Sequence, residues 1–226
     1  MHVYTTIVAF FQKGGLFMYP IVLVLAIGFA IAIERWIYLS AAKAGNKAVW
    51  KKVTPYLKSG NVNGAMQVTS KSKAAIAEIM TYGLDRLRSA RRREDVEQAM
   101  EESLMEVLPR LEKRTHYLAT FANIATLLGL LGTITGLISA FAAVGNANPA
   151  DKADLLSAAI SVAMNTTAFG LIVAIPLLLL HTMLQTKTTE IIDSLEMASV
   201  KFLNSIMERA STEPRTAPAQ AVSGAR

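Results

Sequence analysis

The chain has 226 residues, 52% of them hydrophobic and 18% charged, with a mean hydropathy of +0.35, a net charge of +6 and no cysteine. The missing cysteine excludes disulfides and thiolate chemistry and leaves the redox compartment unread. The apolar residues gather in blocks instead of recurring with a soluble period, which points to a membrane protein and makes the positive charge a matter of topology before nucleic-acid binding.

In chain order, the first segment, 1–15, carries only Lys13 as a charge. Gly14 to Ile33 is then free of Asp, Glu, Lys and Arg, long enough for one crossing of a bilayer core, and a transmembrane helix is expected over 16–39. Ala30-Ile31-Ala32 resembles a small-residue cleavage site, but the apolar run is longer than the core of a signal peptide and one lysine precedes it, so a retained helix is expected. Residues 40–114 form a helical region with 15 Lys and Arg against 9 Asp and Glu between Ser40 and His116. Within it, Val96, Met100, Leu104, Val107 and Leu111 make one apolar stripe at helical spacing. Two readings stand: an amphipathic helix packing on its own subunit, or one running unbroken into the next span with a kink at Pro109.

Thr115 to Ala150 and Leu155 to Thr186 are again free of those four charged types, and each is longer than one crossing requires. Transmembrane helices are expected over 115–144 and 154–186, joined by a short loop at 145–153. From 187 to 211, Ile191, Leu195, Met197, Ala198, Phe202 and Ile206 form another amphipathic stripe, and 212–226, rich in Pro, Ala and Ser, reads as disordered. The basic excess in 40–116 and the tail places both inside, with the N-terminus and the 145–153 loop outside. The fold class is therefore all-α: a three-span membrane protein with long cytoplasmic helical extensions.

The stretch "ATLLGLLGTITGLISAF" (125–141) places three glycines and three threonines where leucines would partition better. At about 100° per residue, Gly129, Gly132, Thr133 and Gly136 share about a third of the circumference, and small residues on one face let membrane helices approach closely. In the third span, Ser157, Ser161 and Asn165 lie four apart on one face, while Thr167, two positions beyond Asn165, points to the opposite side of the helix. Serine and threonine hydroxyls commonly bond their own helix's carbonyls; the Asn165 amide is expected to bond across a helix interface or to line water. Pro176 leaves a carbonyl one turn earlier without its partner, consistent with a bend. Neither long span holds a carboxylate or lysine, and His116 and His181 sit near the inner ends. An ion pathway ordinarily needs an ionisable group in the membrane, so any acid must come from another protein. No repeat, Gly-rich phosphate loop, metal-spaced His/Cys cluster or nucleophile elbow is present, and no enzyme activity or cofactor is expected. A secondary transporter would show repeats and embedded charges; a non-conducting scaffold would use the glycines for packing alone.

The strings "ATLLGLLGTITGLISAF" and "NTTAFGLIVAIPLLL", in order on successive spans, resemble the signature of the MotA/TolQ/ExbB ion-channel family, and the three-span layout resembles its ExbB and TolQ branch. The resemblance implies a homopentameric ring in the bacterial inner membrane. The second and third spans would surround helices of an ExbD- or TolR-like single-span partner that supplies an aspartate carrying H⁺ or Na⁺, and ion flow would drive a TonB- or TolA-like arm for transport or envelope maintenance at the outer membrane. The family's pore-facing threonines map onto Thr133 and Thr167, and its third-span proline onto Pro176. Thr126, Asn165 and Thr166 are the further candidates for the ion-pathway lining, and Gly170 joins Gly129, Gly132 and Gly136 as a packing residue. Two positions depart from the pattern: Val162 stands where an acid is usual and Thr126 where proline is usual. The added neutral oxygens suit a hard cation, so sodium coupling is an expectation alongside proton coupling.

Overall fold

The computed structural model describes residues 15–89, 92–145 and 147–210, with side chains to Ile206. Its elements are α1 (Met18–Ser59), α2 (Val62–Ser70), α3 (Ala75–Leu87), α4 (Arg93–Glu112), α5 (Thr115–Gly145) and α6 (Lys152–Ala210); no strand occurs among the described residues. The expected segments 1–15, apart from Gly15, and 212–226 lie outside them. Three stretches, Met18–Ser59, Arg93–Gly145 and Lys152–Ile206, are long and apolar enough to cross a membrane. The chain divides into two compact units, Met1–Ser40 with Leu111–Thr189 and Ala41–Arg110 with Glu190–Arg226, and α1 and α6 contribute residues to both.

The second unit shows how local chemistry punctuates the helices. α1 ends at Gly60, whose φ of 73° suits a residue without Cβ. Gly60 N–H donates to the Leu57 carbonyl at 3.2 Å and Asn61 N–H to the Tyr56 carbonyl at 2.9 Å, a pair of hydrogen bonds that satisfies two terminal carbonyls. Asn61 then serves as N-cap of α2, its Oδ1 accepting from Gly64 N–H at 2.8 Å. α3 begins at Ala75 with no capping side chain of its own; the buried Asn46 amide supplies one from α1, accepting from Ile76 N–H at 3.2 Å. Val96, Met100, Val107 and Leu111 of the α4 stripe are buried, with Leu104 half-buried. On the last part of α6, Ile191, Leu195, Ala198 and Phe202 are buried, but Met197, assigned to that stripe from the sequence, is 57% exposed. It sits about 100° round from Ala198 and falls off the face.

The first unit carries the three apolar segments, and one break organises its lower end. The reading in which α4 runs unbroken into the second span is not what the structure adopts. The helix stops at Glu112 and restarts at Thr115, and Arg114 takes a φ of 66°, a left-handed conformation that interrupts the ladder. Pro109, the expected kink, lies inside α4 instead. A helix end exposes its last four carbonyls, and one of these, that of Leu111, accepts from the guanidinium Nη2 of the buried Arg35. A cation at a helix C-terminus also meets the negative end of the dipole. The Arg35 guanidinium stacks on the Tyr38 ring at 4.7 Å, while neighbouring Glu34 pairs with Arg114 at 3.5 Å. Lys187 of α6 donates to Ser40 Oγ at 2.6 Å and lies 4.2 Å from the centre of the Trp36 ring. Trp36, Tyr38 and Tyr117 are each partly exposed here, amphipathic rings of the kind that membrane proteins favour at an interface.

Arg35→Leu removes the donor and strands the Leu111 carbonyl. We expect a loss of roughly 1–3 kcal/mol of stability, the cost of an unsatisfied buried polar group. Faster amide exchange confined to residues 111–118 is the local signature; unchanged exchange there would show that the cap does not hold the break.

Candidate functional site

α5 and α6 form the site, and their contact is set by size. On α5 the buried residues Leu118, Ala122, Ala125, Gly129, Gly132 and Ala140 recur at helical spacing, and from Ala122 on every one is Ala or Gly. α6 answers with buried Ala163, Thr166, Gly170 and Val173. A methyl group placed on Gly170 would sit 2.7 Å from the Ala125 carbonyl oxygen and 3.1 Å from Gly129 Cα. One on Gly129 would fall 3.2 Å from Thr167 Cα, and one on Gly132 2.4 Å from the Thr166 methyl. Gly136 faces the Ala163 methyl in the same way, at 3.1 Å. Backbone therefore meets backbone at Gly129 and Gly170, the arrangement small residues make available to membrane helices. α1 joins the bundle at Gly28, where a methyl would strike the Leu177 side chain at 2.7 Å, one residue past the half-buried Pro176.

Such closeness lets a side chain on one helix reach the other's backbone. Thr167 Oγ1 donates to the Gly129 carbonyl at 2.9 Å, across the pair. The other candidate threonines keep to their own helices: Thr126 donates to Ala122 O at 3.1 Å, Thr133 to Leu130 O at 2.6 Å and Thr166 to Val162 O at 2.9 Å. Thr166 is buried, packed on Gly132, whereas Thr126 is exposed and Thr133 and Thr167 are half-buried. Asn165 is half-buried, and its amide has no hydrogen-bond partner among the described residues.

The hydrogen-bond direction matters for chemistry. A hydroxyl has one proton and two lone pairs. Each of these four threonines commits its proton to a carbonyl, so what remains is acceptor capacity, which suits a cation or a water that donates. Among the described residues no three His, Cys, Asp or Glu side chains lie close enough to hold a metal ion. The structure brings Thr166, Thr167, Gly129, Gly132 and Gly170 into one contact. Thr126, Thr133 and Asn165 lie beside that contact without joining it.

Residues 71–197 match the MotA/TolQ/ExbB proton channel family, more than half of the chain and most of the α5–α6 pair, the glycine contact included.

The chain belongs to the MotA/TolQ/ExbB proton channel family.

Its relatives include a putative biopolymer transport protein ExbB homolog of Methanothermobacter thermautotrophicus, 29% identical over 194 residues, covering 85% of this chain and 67% of the relative. The biopolymer transport protein ExbB of Aquifex aeolicus is 36% identical over 80 residues, 35% of this chain and 53% of its own. The Tol-Pal system protein TolQ of Haemophilus influenzae is 32% identical over 93 residues, 41% of this chain and 40% of its own. This family member is a multi-pass membrane protein of the ExbB/TolQ type, and the threonines and glycines of the α5–α6 contact lie in the matched region.

Gly170→Ala forces the helices apart at the Ala125 carbonyl, where rigid backbone cannot yield, and should cost about 1–3 kcal/mol, as overpacking does. Gly145→Ala, with no atom within 4 Å of the added methyl, should be neutral. Thermal unfolding of both variants in detergent checks the contrast; equal stability would contradict backbone contact at Gly170.

Proposed function

We propose that this chain is the ring-forming channel subunit of an energy-transducing assembly in the bacterial inner membrane. In this reading five copies surround the single spans of an ExbD- or TolR-like partner, with the N-terminus periplasmic and the 40–114 region and C-terminal tail cytoplasmic. The partner's membrane carboxylate carries the ion, and its movement past the α5–α6 oxygens turns ring against partner. A TonB- or TolA-like arm transmits that work to outer-membrane transport or envelope maintenance. The chain makes and breaks no covalent bond; it supplies a guided path.

The observation that carries the reading is the pairing of two facts about α5 and α6. Their spans contain no Asp, Glu, Lys or Arg from Thr115 to Ala150 or from Leu155 to Thr186, yet their threonines present acceptor oxygens beside a tight glycine contact. An ion path needs an ionisable group inside the membrane, and this lining fits one that arrives on another helix. Two further observations support assembly. Only 17% of the most apolar window of the second span is buried within the chain, and Leu127, Leu130, Leu131, Ile134, Ile138 and Phe141 of α5 are exposed. These surfaces are free for neighbouring subunits, partner helices and lipid. The family's description and the relatives' names, ExbB and TolQ, point the same way.

Replacing Thr133 and Thr167 together by valine keeps shape and removes both oxygens. Partner-dependent ion flux in liposomes should fall at least about tenfold, a loss of roughly 1.4 kcal/mol in the passage barrier, while ring and partner stay assembled. Retained flux with intact assembly would favour a scaffold. Flux that depends on Na⁺ at fixed driving force would assign the neutral oxygens to sodium; equal flux with and without it leaves H⁺ as the ion.

A further inference from the structure

Where the α5–α6 pair meets the helix break, the structure contains a pocket of about 240 Å³, room for several waters at roughly 30 Å³ each. Glu112, Thr115 and His116 line it from the break and the start of α5, and His181, Gln185 and Thr188 from α6. The composition is unusual for this chain. Of its three histidines, the two that are described face this one pocket, 65 positions apart in sequence. They stand at the same end of the two charge-free spans. His116 is the second residue of α5, and His181 lies one and a half turns inside the end of its span.

The surroundings leave the pocket open to positive charge. Arg114 is held by Glu34 at 3.5 Å, Lys187 by Ser40 and the Trp36 ring, and Arg35 by the Leu111 carbonyl and Tyr38. Lys113 lies on the exposed turn between the helices. The titratable groups that line the cavity are therefore Glu112, His116 and His181. Thr115 Oγ1 is buried at the cavity wall without a hydrogen-bond partner, a polar atom that a bound water would satisfy. No three ligands converge tightly enough for a metal among the described residues, so a chain of water between these side chains is the chemistry that fits. Histidine is the side chain that exchanges a proton near neutral pH and serves as a shuttle.

We infer that this pocket is a proton-exchange vestibule, in which His116 and His181, with Glu112, pass protons between bulk water and the threonine-lined span pair. The inference rests on the channel reading above and deepens it by naming the ion and the groups that receive it. A proton arriving from the span is taken up by a neutral imidazole ring nitrogen and released from the ring's other nitrogen, through water and the Glu112 carboxylate, to the bulk. Nothing is consumed, and the ring returns to its neutral form.

The test uses the full chain assembled with its partner in liposomes, with proton flux read by a pH-sensitive dye. His116→Gln and His181→Gln together should lower flux at least about tenfold, with the ring intact, and millimolar imidazole in the medium should restore a substantial part of it. A purely structural role for the histidines would show no such rescue. Because the chain has no cysteine, single substitutions report water access cleanly. Gln185→Cys should react with a membrane-impermeant thiol reagent, and Ile172→Cys, on the exposed apolar side of α6, should not. Unchanged flux in the double variant, lost flux without imidazole rescue, or an unreactive Gln185→Cys would each overturn the vestibule while leaving a conducting wild type as evidence for the channel. A wild-type complex that passes no ions would overturn the channel reading itself, and the vestibule with it.

Discussion

Two membrane helices touching backbone to backbone set the terms for this protein. An added carbon would fall 2.7 Å from the Ala125 carbonyl oxygen at Gly170 and 3.2 Å from Thr167 Cα at Gly129, and the hydroxyl of Thr167 reaches the Gly129 carbonyl only because the axes come this close. Lipid offers no hydrophobic reward for bringing helices together, so such an approach depends on van der Waals contact and interhelical hydrogen bonds. The glycine face provides the first and Thr167 the second. The outer faces of α5 and α6 keep their large apolar side chains, which leaves those surfaces available to lipid and other chains.

The same arrangement separates two tasks that many ion-handling proteins combine. A buried acid inside a span is costly and needs its own partners. Here the spans avoid that cost, and Thr126, Thr133, Thr166 and Thr167 present neutral oxygens whose protons are already committed to carbonyls. The two described histidines both stand at one end, beside the break between α4 and α5, where the Arg35 cap and the Glu34–Arg114 pair tie α1 to the turn. In the proposed channel, that end is where the chain's own proton chemistry takes place, and a second protein brings the acid to the middle of the membrane.

Much of this was legible in the sequence, and the reasons are specific. The charge-free blocks Gly14 to Ile33, Thr115 to Ala150 and Leu155 to Thr186 mark spans without reference to any partner, and the small-residue face of α5 follows from its period alone. The break at Arg114 was not legible. A left-handed arginine has no signature in sequence, whereas Pro109 looks like a breaker and yet sits within α4, where the carbonyl it orphans belongs to Met105, an exposed residue. The Arg35 cap joins residues 76 apart, beyond any local pattern. Period places Thr166 and Thr167 only about 100° apart; which of them crosses to the other helix depends on how α5 lies against α6. The pairing of His116 with His181 in one pocket is likewise a product of that packing.

The central claim is that the acid completing the ion path comes from another chain. Native mass spectrometry of the protein, alone and co-expressed with a candidate single-span partner bearing a membrane aspartate, tests it most directly. The account predicts a five-subunit ring that retains the partner, and loses none of it when the partner's aspartate is replaced by asparagine. A monomer or dimer that captures no such partner, or a ring that conducts ions by itself, would contradict it.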